Sequence, residues 1–389
     1  MKLFSRVLLA SALTLSLNAA TAQEEMKAMK DEFAFYKQKQ NDDFSNYKEN
    51  LEKEYDAYKK ELGKYWENPE ISSKKKWVSY SEDKKSRSNV DFENDVIVVE
   101  TVAKNEEEAK AELAKRLGFA VSKNTQEVLT SDPLQKRIQN ISKPIDKVVV
   151  VPDAKPILST VIFKKEPSEK EVKNYANKVV TTTPLQVKKS KFGHENVYSL
   201  VVKLPSDARL KRSKIYERDV VQYANKFQLP VPLLFAIMHT ESDFNPMATS
   251  RIPAFGLMQI VPTSAGRDVY QFLYKRKGMP SSTYLYNGKN NIEMGSIYLH
   301  ILYYRYLKKI ENPESRLYCA IAAYNTGAGN IAWAFTGKYN MPNAASKINA
   351  MTPDKVYERL LSDLRFDEPK NYLINVKKRM SAYKKAYNL

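Results

Sequence analysis

The sequence predicts an α+β chain of more than one domain that ends in a mainly α-helical region. Three observations predict it. At 389 residues the chain has room for two or three hydrophobic cores. Between residues 69 and 204, short runs of alternating apolar residues flank strongly helical stretches. From 205 to 389 apolar residues recur at threes and fours, punctuated by glycine and proline.

At the start of the chain, Lys2 and Arg6 precede an apolar run from Val7 to Leu17, and Ala20-Thr21-Ala22 offers small residues for cleavage. Residues 1–22 therefore read as a secretory signal peptide, too short in its apolar core to span a bilayer. Residues 23–68 form an amphipathic helical segment. Met26, Met29, Phe33, Tyr36, Phe44, Tyr47, Leu51, Tyr55, Tyr58, Leu62 and Tyr65 make a narrow aromatic seam, with a polar break at Gln40. Packing on its own chain or on a partner, including self-association through Met26–Tyr65, is the expected use of this seam. A lie along a membrane surface is the sharper alternative, and the acidic residues throughout argue against it.

In 69–204, strands are expected at Trp77–Tyr80, Ser88–Phe92 and Val96–Val102, with a hairpin at Asn94-Asp95. Asn105–Leu117 carries acids first and bases last, as a helix prefers. Helical patterns near 124–140 and 168–180 precede strands at Leu185–Lys189 and Val197–Leu204, the last with Tyr198, Leu200, Val202 and Leu204 facing inward. No phosphate loop and no nucleophile–base pair occurs there, so this is read as a binding or positioning domain. Pro205–Lys214 is basic and polar and reads as a connector. Beyond it, helices are expected at Lys214–Phe227, Pro232–Ser242, Asn291–Leu307, Ser315–Asn325, Asn330–Phe335 and Lys370–Tyr387.

Composition narrows the function classes. Cys319 is the only cysteine, which excludes a disulfide within the chain and the common Cys/His zinc patterns. No lipid-bearing cysteine follows the signal segment. His194, His239 and His300 set no metal-ligand spacing, so no metal and no cofactor is expected. The formal charge is +18, of which Lys2 and Arg6 supply two, leaving +16 after cleavage. Such a field favours an anionic partner. Export and the lack of a nucleic-acid module argue against DNA or RNA and for a carboxylate-rich wall polymer.

One carboxylate stands out. Leu234, Ile237 or Met238, and Glu241 share one helix face at i, i+3/i+4, i+7. A carboxyl placed there is desolvated, which raises its pKa toward the range of a general acid. Pro246 restricts Asn245 and is expected to end the helix, leaving Glu241 in its last turn beside a cleft. Ser250 could orient Glu241 by a hydrogen bond. Gly256 allows close backbone approach, Met258 offers an apolar wall, and Gln259 supplies a donor and an acceptor suited to an acetamido sugar. Tyr324 and Asn325 end a helix before Gly327, and Tyr372 opens the last one. Singly, each of these also reads as ordinary core, cap or surface.

Together the segments resemble a known family. Glu241-Ser242, Asn245-Pro246, Ala248-Thr249-Ser250, Gly256-Leu257-Met258-Gln259 and Ala323-Tyr324-Asn325 stand in the order found in family-1 lytic transglycosylases of the Slt type. Upstream, Ser86-Arg87, Asp91-Phe92 and Val99-Glu100-Thr101 resemble the N-terminal domain of one branch of that family. The resemblance implies a goose-type, lysozyme-like catalytic domain over 205–389, with peptidoglycan glycan strands as substrate. It implies non-hydrolytic cleavage between N-acetylmuramic acid and N-acetylglucosamine, with Glu241 as acid and base and Ser250, Met258, Gln259, Tyr324, Asn325 and Tyr372 around the sugars. Two departures are visible: Glu368-Pro369-Lys370 where the family usually has Glu-Thr-Arg, and Thr326 where glycine is common. No second carboxylate is evident beside Glu241, since Asp243 lies about 200° further round the helix. A hydrolytic muramidase and a non-catalytic wall-binding scaffold remain the rival readings.

Overall fold

The computed structural model describes residue 38 and residues 42–141, 154–193 and 195–388. The signal segment and the seam from Met26 to Tyr36 lie outside them. Two compact units divide the chain, residues 1–49 and 50–389. The second holds the sheet and the helical region.

Helix α1 covers residues 42–62. Leu51, Tyr55, Tyr58 and Leu62 are buried, and the ring of Tyr58 meets that of Tyr80 edge-on at 6.2 Å. Over Leu51–Leu62 the seam packs on its own chain. Its last step differs, because α1 stops at Leu62 and the chain turns through Gly63 with Trp66 N–H on the Leu62 carbonyl at 3.0 Å. Trp66, not Tyr65, is therefore the residue buried, and it donates to the Lys84 carbonyl at 2.7 Å.

The sheet has five antiparallel strands in the order β1-β2-β3-β5-β4. They are β1 (Lys76–Tyr80), β2 (Ser86–Asp91), β3 (Val96–Ala103), β4 (Gln186–Lys189) and β5 (Asn196–Lys203). The expected hairpin joins β2 to β3, with Asp95 in the left-handed region at φ 54°. On β5, Tyr198, Leu200 and Val202 do face inward. Between β3 and β4 run α2 (Glu106–Ser122), α3 (Thr125–Ser131), α4 (Pro133–Ile141), α5 (Ser159–Ile162) and α6 (Glu169–Thr182). Asn105, Asn124 and Ser168 cap α2, α3 and α6 by accepting from a backbone N–H three residues on.

The helical region comprises α7 (Ala208–Ile215), α8 (Glu217–Lys226), α9 (Val231–Ser242), α10 (Ala265–Tyr274), α11 (Ser282–Tyr286) and α12 (Gly288–Ile301). α12 runs into a π-helical turn, Leu302–Tyr306. After it come α13 (Pro313–Thr326), α14 (Ala328–Thr336), α15 (Met341–Asn349), α16 (Pro353–Asp363) and α17 (Asp367–Ala386). α10, α11, α15 and α16 are not expected from the pattern. α11 has only five residues, and α15 and α16 are led by Pro342 and Pro353, which a pattern search reads as breaks but which suit a first helical turn.

The connector expected at Pro205–Lys214 is corrected by the structure. Most of it is α7, and its Arg212 is only 1% exposed. Arg212 donates to Asp95 Oδ1 at 2.7 Å, to the Phe92 carbonyl at 2.8 Å and to the Asp243 carbonyl at 3.3 Å. A basic stretch reads as solvated linker by composition. Here its guanidinium is buried because each donor group meets an acceptor. The β2–β3 turn and the end of α9 are fastened to one side chain. Arg212→Met strands two of those acceptors and should lower the unfolding free energy in urea by about 3 kcal/mol. Lys214→Met, at an exposed position of the same helix, should stay within about 0.5 kcal/mol of wild type.

Candidate active site

Helix α9 starts at Pro230-Val231-Pro232, where the missing N–H groups cost nothing. Leu233 to Met238 are all buried, so the helix runs through the core on every face. It stops at Ser242. The stop comes three residues before Pro246 because Asp243 and Phe244 both adopt left-handed backbone, φ 54° and 62°. The Asp243 N–H then closes on the His239 carbonyl at 3.2 Å. Glu241 is left in the last turn, 6% exposed.

Burial pushes the Glu241 carboxyl above the usual range. Lys74, Tyr372 and Lys75 pull it back, and the carboxylate of Glu368 pushes it further up. Lys74 Nζ lies 3.8 Å from Glu241 Oε2. The Tyr372 hydroxyl is close enough to favour the charged form but outside hydrogen-bond alignment. Asp243, the neighbouring carboxylate, is turned away as expected: Arg209 Nε holds its Oδ1 at 2.6 Å, and it is 1% exposed.

The loop after α9 folds back on itself. Gly256 N–H donates to the Ala248 carbonyl at 2.9 Å, and Phe255 and Ile260 exchange two backbone bonds of 3.1 Å. Gly256 has φ 76°, and a Cβ there would collide with the Leu285 carbonyl and the Asn291 amide. Asn291, fully buried, joins three segments. It donates to the Phe255 and Leu285 carbonyls at 2.8 Å each, and its Oδ1 accepts from Met258 N at 2.7 Å. Ser242 Oγ lies 2.8 Å from the Leu257 carbonyl, tying the same turn to the end of α9.

Most of the other candidate residues gather around this turn. Gln259 is 7% exposed at φ 48°, its Nε2 on the Gly256 carbonyl at 3.0 Å and its Oε1 without a hydrogen-bond partner. Met258 is fully buried, its thioether filling the space Gly295 leaves open. What Met258 turns toward the site is its carbonyl, which accepts from Tyr324 Oη at 2.8 Å. The Tyr324 ring stacks on Tyr372, centroids 6.5 Å apart at 11°. Burial and the Glu241 charge hold both phenols well above their usual pKa. Asn325 Nδ2 reaches Glu368 Oε1 at 3.4 Å. Ser250 is the exception: its Oγ accepts from Ile252 N at 3.2 Å, and no hydrogen bond joins it to Glu241. The orienting role expected of Ser250 is therefore corrected, because its side chain closes a local turn of its own loop.

Burial drives the His239 pKa down to about 2, and Arg379 and Arg209 add to it, so the ring is neutral, with Nδ1 3.1 Å from Tyr383 Oη. Among the described residues no cluster of His, Cys, Asp and Glu could hold a metal ion.

Sequence reasoning gave three of these residues no role. Lys74 stands in a run of three lysines that reads as plain surface charge. Glu368 lies more than 120 residues from Glu241 along the chain. Asn291 is visible only as the start of an expected helix, since nothing in its neighbours announces a buried three-way bond.

The chain matches known families along most of its length. The Transglycosylase SLT domain matches residues 220–347, and the N-terminal domain of membrane-bound lytic murein transglycosylase C matches 44–214. Membrane-bound lytic murein transglycosylase C of Klebsiella pneumoniae is 32% identical over 319 residues, covering 81% of this chain and 83% of that protein. The protein of the same name in Serratia proteamaculans is 31% identical over 319 residues, 81% and 84% of the two chains. Among solved structures, an inactive mutant of the lytic transglycosylase Slt of Pseudomonas aeruginosa matches 46% of this chain and 28% of its own at 23% identity and TM-score 0.35, a partial likeness. With both domain families in succession along it, and relatives alike over 81% of its length, the chain belongs to the membrane-bound lytic murein transglycosylase C family.

Proposed function

We propose that the protein is a peptidoglycan lytic transglycosylase in which Glu241 acts first as acid and then as base. The observation that carries this is a buried carboxyl, raised in pKa, at a helix end beside Tyr324 and Tyr372, in a chain of this family. Protonated Glu241 gives its proton to the glycosidic oxygen, and the bond from that oxygen to C1 of the muramic unit breaks. The unit's own N-acetyl oxygen stabilises the charge at C1, as in substrate-assisted glycosidases. Ionised Glu241 then takes the proton of the C6 hydroxyl, and that oxygen closes on C1. The products are a free N-acetylglucosamine hydroxyl and a 1,6-anhydromuramic end, with no water consumed.

The other roles are read from what each atom leaves open. Gln259 Oε1, buried and unpartnered, is the acceptor for an acetamido N–H. The stacked rings of Tyr324 and Tyr372 wall the cleft, and Asn325 addresses sugar hydroxyls from its rim. Met258 shapes the site through its carbonyl, and Ser250 through its loop. We read the protein as periplasmic, exported by residues 1–22. Its relatives are named membrane-bound, and no described helix is long and apolar enough to cross a membrane.

A muramidase is the second reading, because Glu368 supplies a carboxylate on the mouth side of Glu241 that could activate water. Mass spectrometry of digested sacculi separates the two. Anhydro ends are expected, and ends one water heavier would reject the transglycosylase reading. Glu241→Gln should lower turnover at least about 100-fold; undiminished turnover would remove Glu241 from the chemistry. The alkaline limb of the rate profile should reflect Glu241, activity falling as pH rises through its elevated pKa.

The same shift has a stability signature. A carboxyl with a raised folded pKa favours folding fully below its unfolded pKa, about 4.3, and loses that contribution as pH rises through the folded value. Glu241→Gln should therefore melt above wild type by a margin that widens from about pH 4 toward neutrality. A constant margin would mean that Glu241 is not strained by its charge.

A further inference from the structure

We infer that Lys74, carried by the segment that leads into the sheet, is a positioning residue of the reaction that stabilises Glu241 as a carboxylate between its two proton transfers. This rests on the reading of Glu241 as the single acid and base. A mechanism with one carboxylate passes through a state in which that carboxylate is ionised inside the protein. Desolvation makes such a state costly unless a fixed positive charge stands nearby. Lys74 Nζ is 3.8 Å from Glu241 Oε2, with the lysine side chain 42% exposed and the glutamate 7%. A contact ion pair would hold the proton off Glu241 altogether and disable the acid step. A cation about 4 Å away favours the carboxylate without preventing protonation, as the net upward direction of the Glu241 shift requires.

The placement is built into the fold. Asn245 Nδ2 donates to the Lys74 carbonyl at 3.2 Å, and Thr249 N–H to the Ser73 carbonyl at 3.4 Å. Both donors belong to the loop that follows the Glu241 helix. Thr249 Oγ1 is in turn 2.7 Å from Tyr55 Oη on α1. The adjacent lysine is already engaged: Lys75 Nζ is 2.5 Å from Glu93 and 3.8 Å from Asp243. Among the described ion pairs, that of Lys74 is with Glu241 alone. The other groups facing Glu241 do not replace it. Tyr324 from α13 and Tyr372 from α17 are neutral phenols, Glu368 from α17 is an anion, and Lys75 is neutralised. The domain ahead of residue 204 thus completes the chemistry of the helical one.

The test is the pH profile of anhydro-end formation by the full chain for wild type, Lys74→Met and Lys74→Arg, with kcat and KM taken separately. Lys74→Met should move the alkaline limb up by about one pH unit and lower kcat about tenfold, because the ionised intermediate loses its counter-charge. Lys74→Arg should restore the limb and most of kcat. At a pH low enough to keep Glu241 protonated, the half-exposed position predicts little change in melting temperature for either variant. A limb that stays in place, or a change confined to KM, overturns the inference; the latter would assign the ammonium to a carboxylate of the substrate. If wild type yields no anhydro ends, or Glu241→Gln turns over normally, the reading of Glu241 fails and the role of Lys74 falls with it.

Discussion

The structure turns on one buried carboxylate, and it is Asp243 rather than Glu241. Asp243 occupies the left-handed position that ends α9. Arg209 binds its side chain, Arg212 its carbonyl, and Lys75 approaches from the strand side. Arg212 continues to Asp95 and Phe92 in the β2–β3 turn. One residue thus stops the helix, sets the direction of the loop toward Gly256, and draws the sheet against the end of α9. That convergence of charge adds to the Asn245 and Thr249 hydrogen bonds that hold the segment carrying Lys74 near Glu241.

The pairing of two carboxylates two residues apart shows how environment separates roles. Asp243 meets a guanidinium at 2.6 Å, which works directly against the upward push of burial on its carboxyl. Glu241 is as buried, but its nearest cation stands 3.8 Å away and its neighbouring phenol is misaligned. Both side chains are acids of similar intrinsic strength. What separates them is the quality of the partner each finds.

Much of this was legible in the sequence, and what was not has a physical reason. The strands near 77–102 and 197–204 and the long last helix follow from periodicity, because burial on one face imposes it, and α9 follows from its continuous apolar run bounded by prolines. Glu241 was legible because a charge on an apolar face violates that periodicity. Lys74, Asn291 and Glu368 were not, because their partners are distant in sequence and their own neighbours are ordinary. Ser250 misled for the complementary reason. Nearness in sequence made a bond to Glu241 plausible, and its own loop offered a closer donor in Ile252 N–H. The basic stretch at 205–214 misled because composition reports charge and not whether acceptors surround it.

The turn from Phe255 to Gln259 explains why the helical region tolerates such a strained and buried loop. Gly256 and Gln259 both lie at positive φ, and the peptide groups between them turn away from any regular ladder. Asn291 replaces the missing ladder with two hydrogen bonds to the turn and a third to Leu285, Ser242 adds another through the Leu257 carbonyl, and Tyr324 one more through the Met258 carbonyl. The loop is therefore as fixed as a strand while keeping one group unpaired, the Gln259 Oε1. A buried acceptor left without a partner costs stability unless something arrives to fill it. If an acetamido N–H fills it, the unsatisfied oxygen and the single carboxylate make the same demand on the substrate.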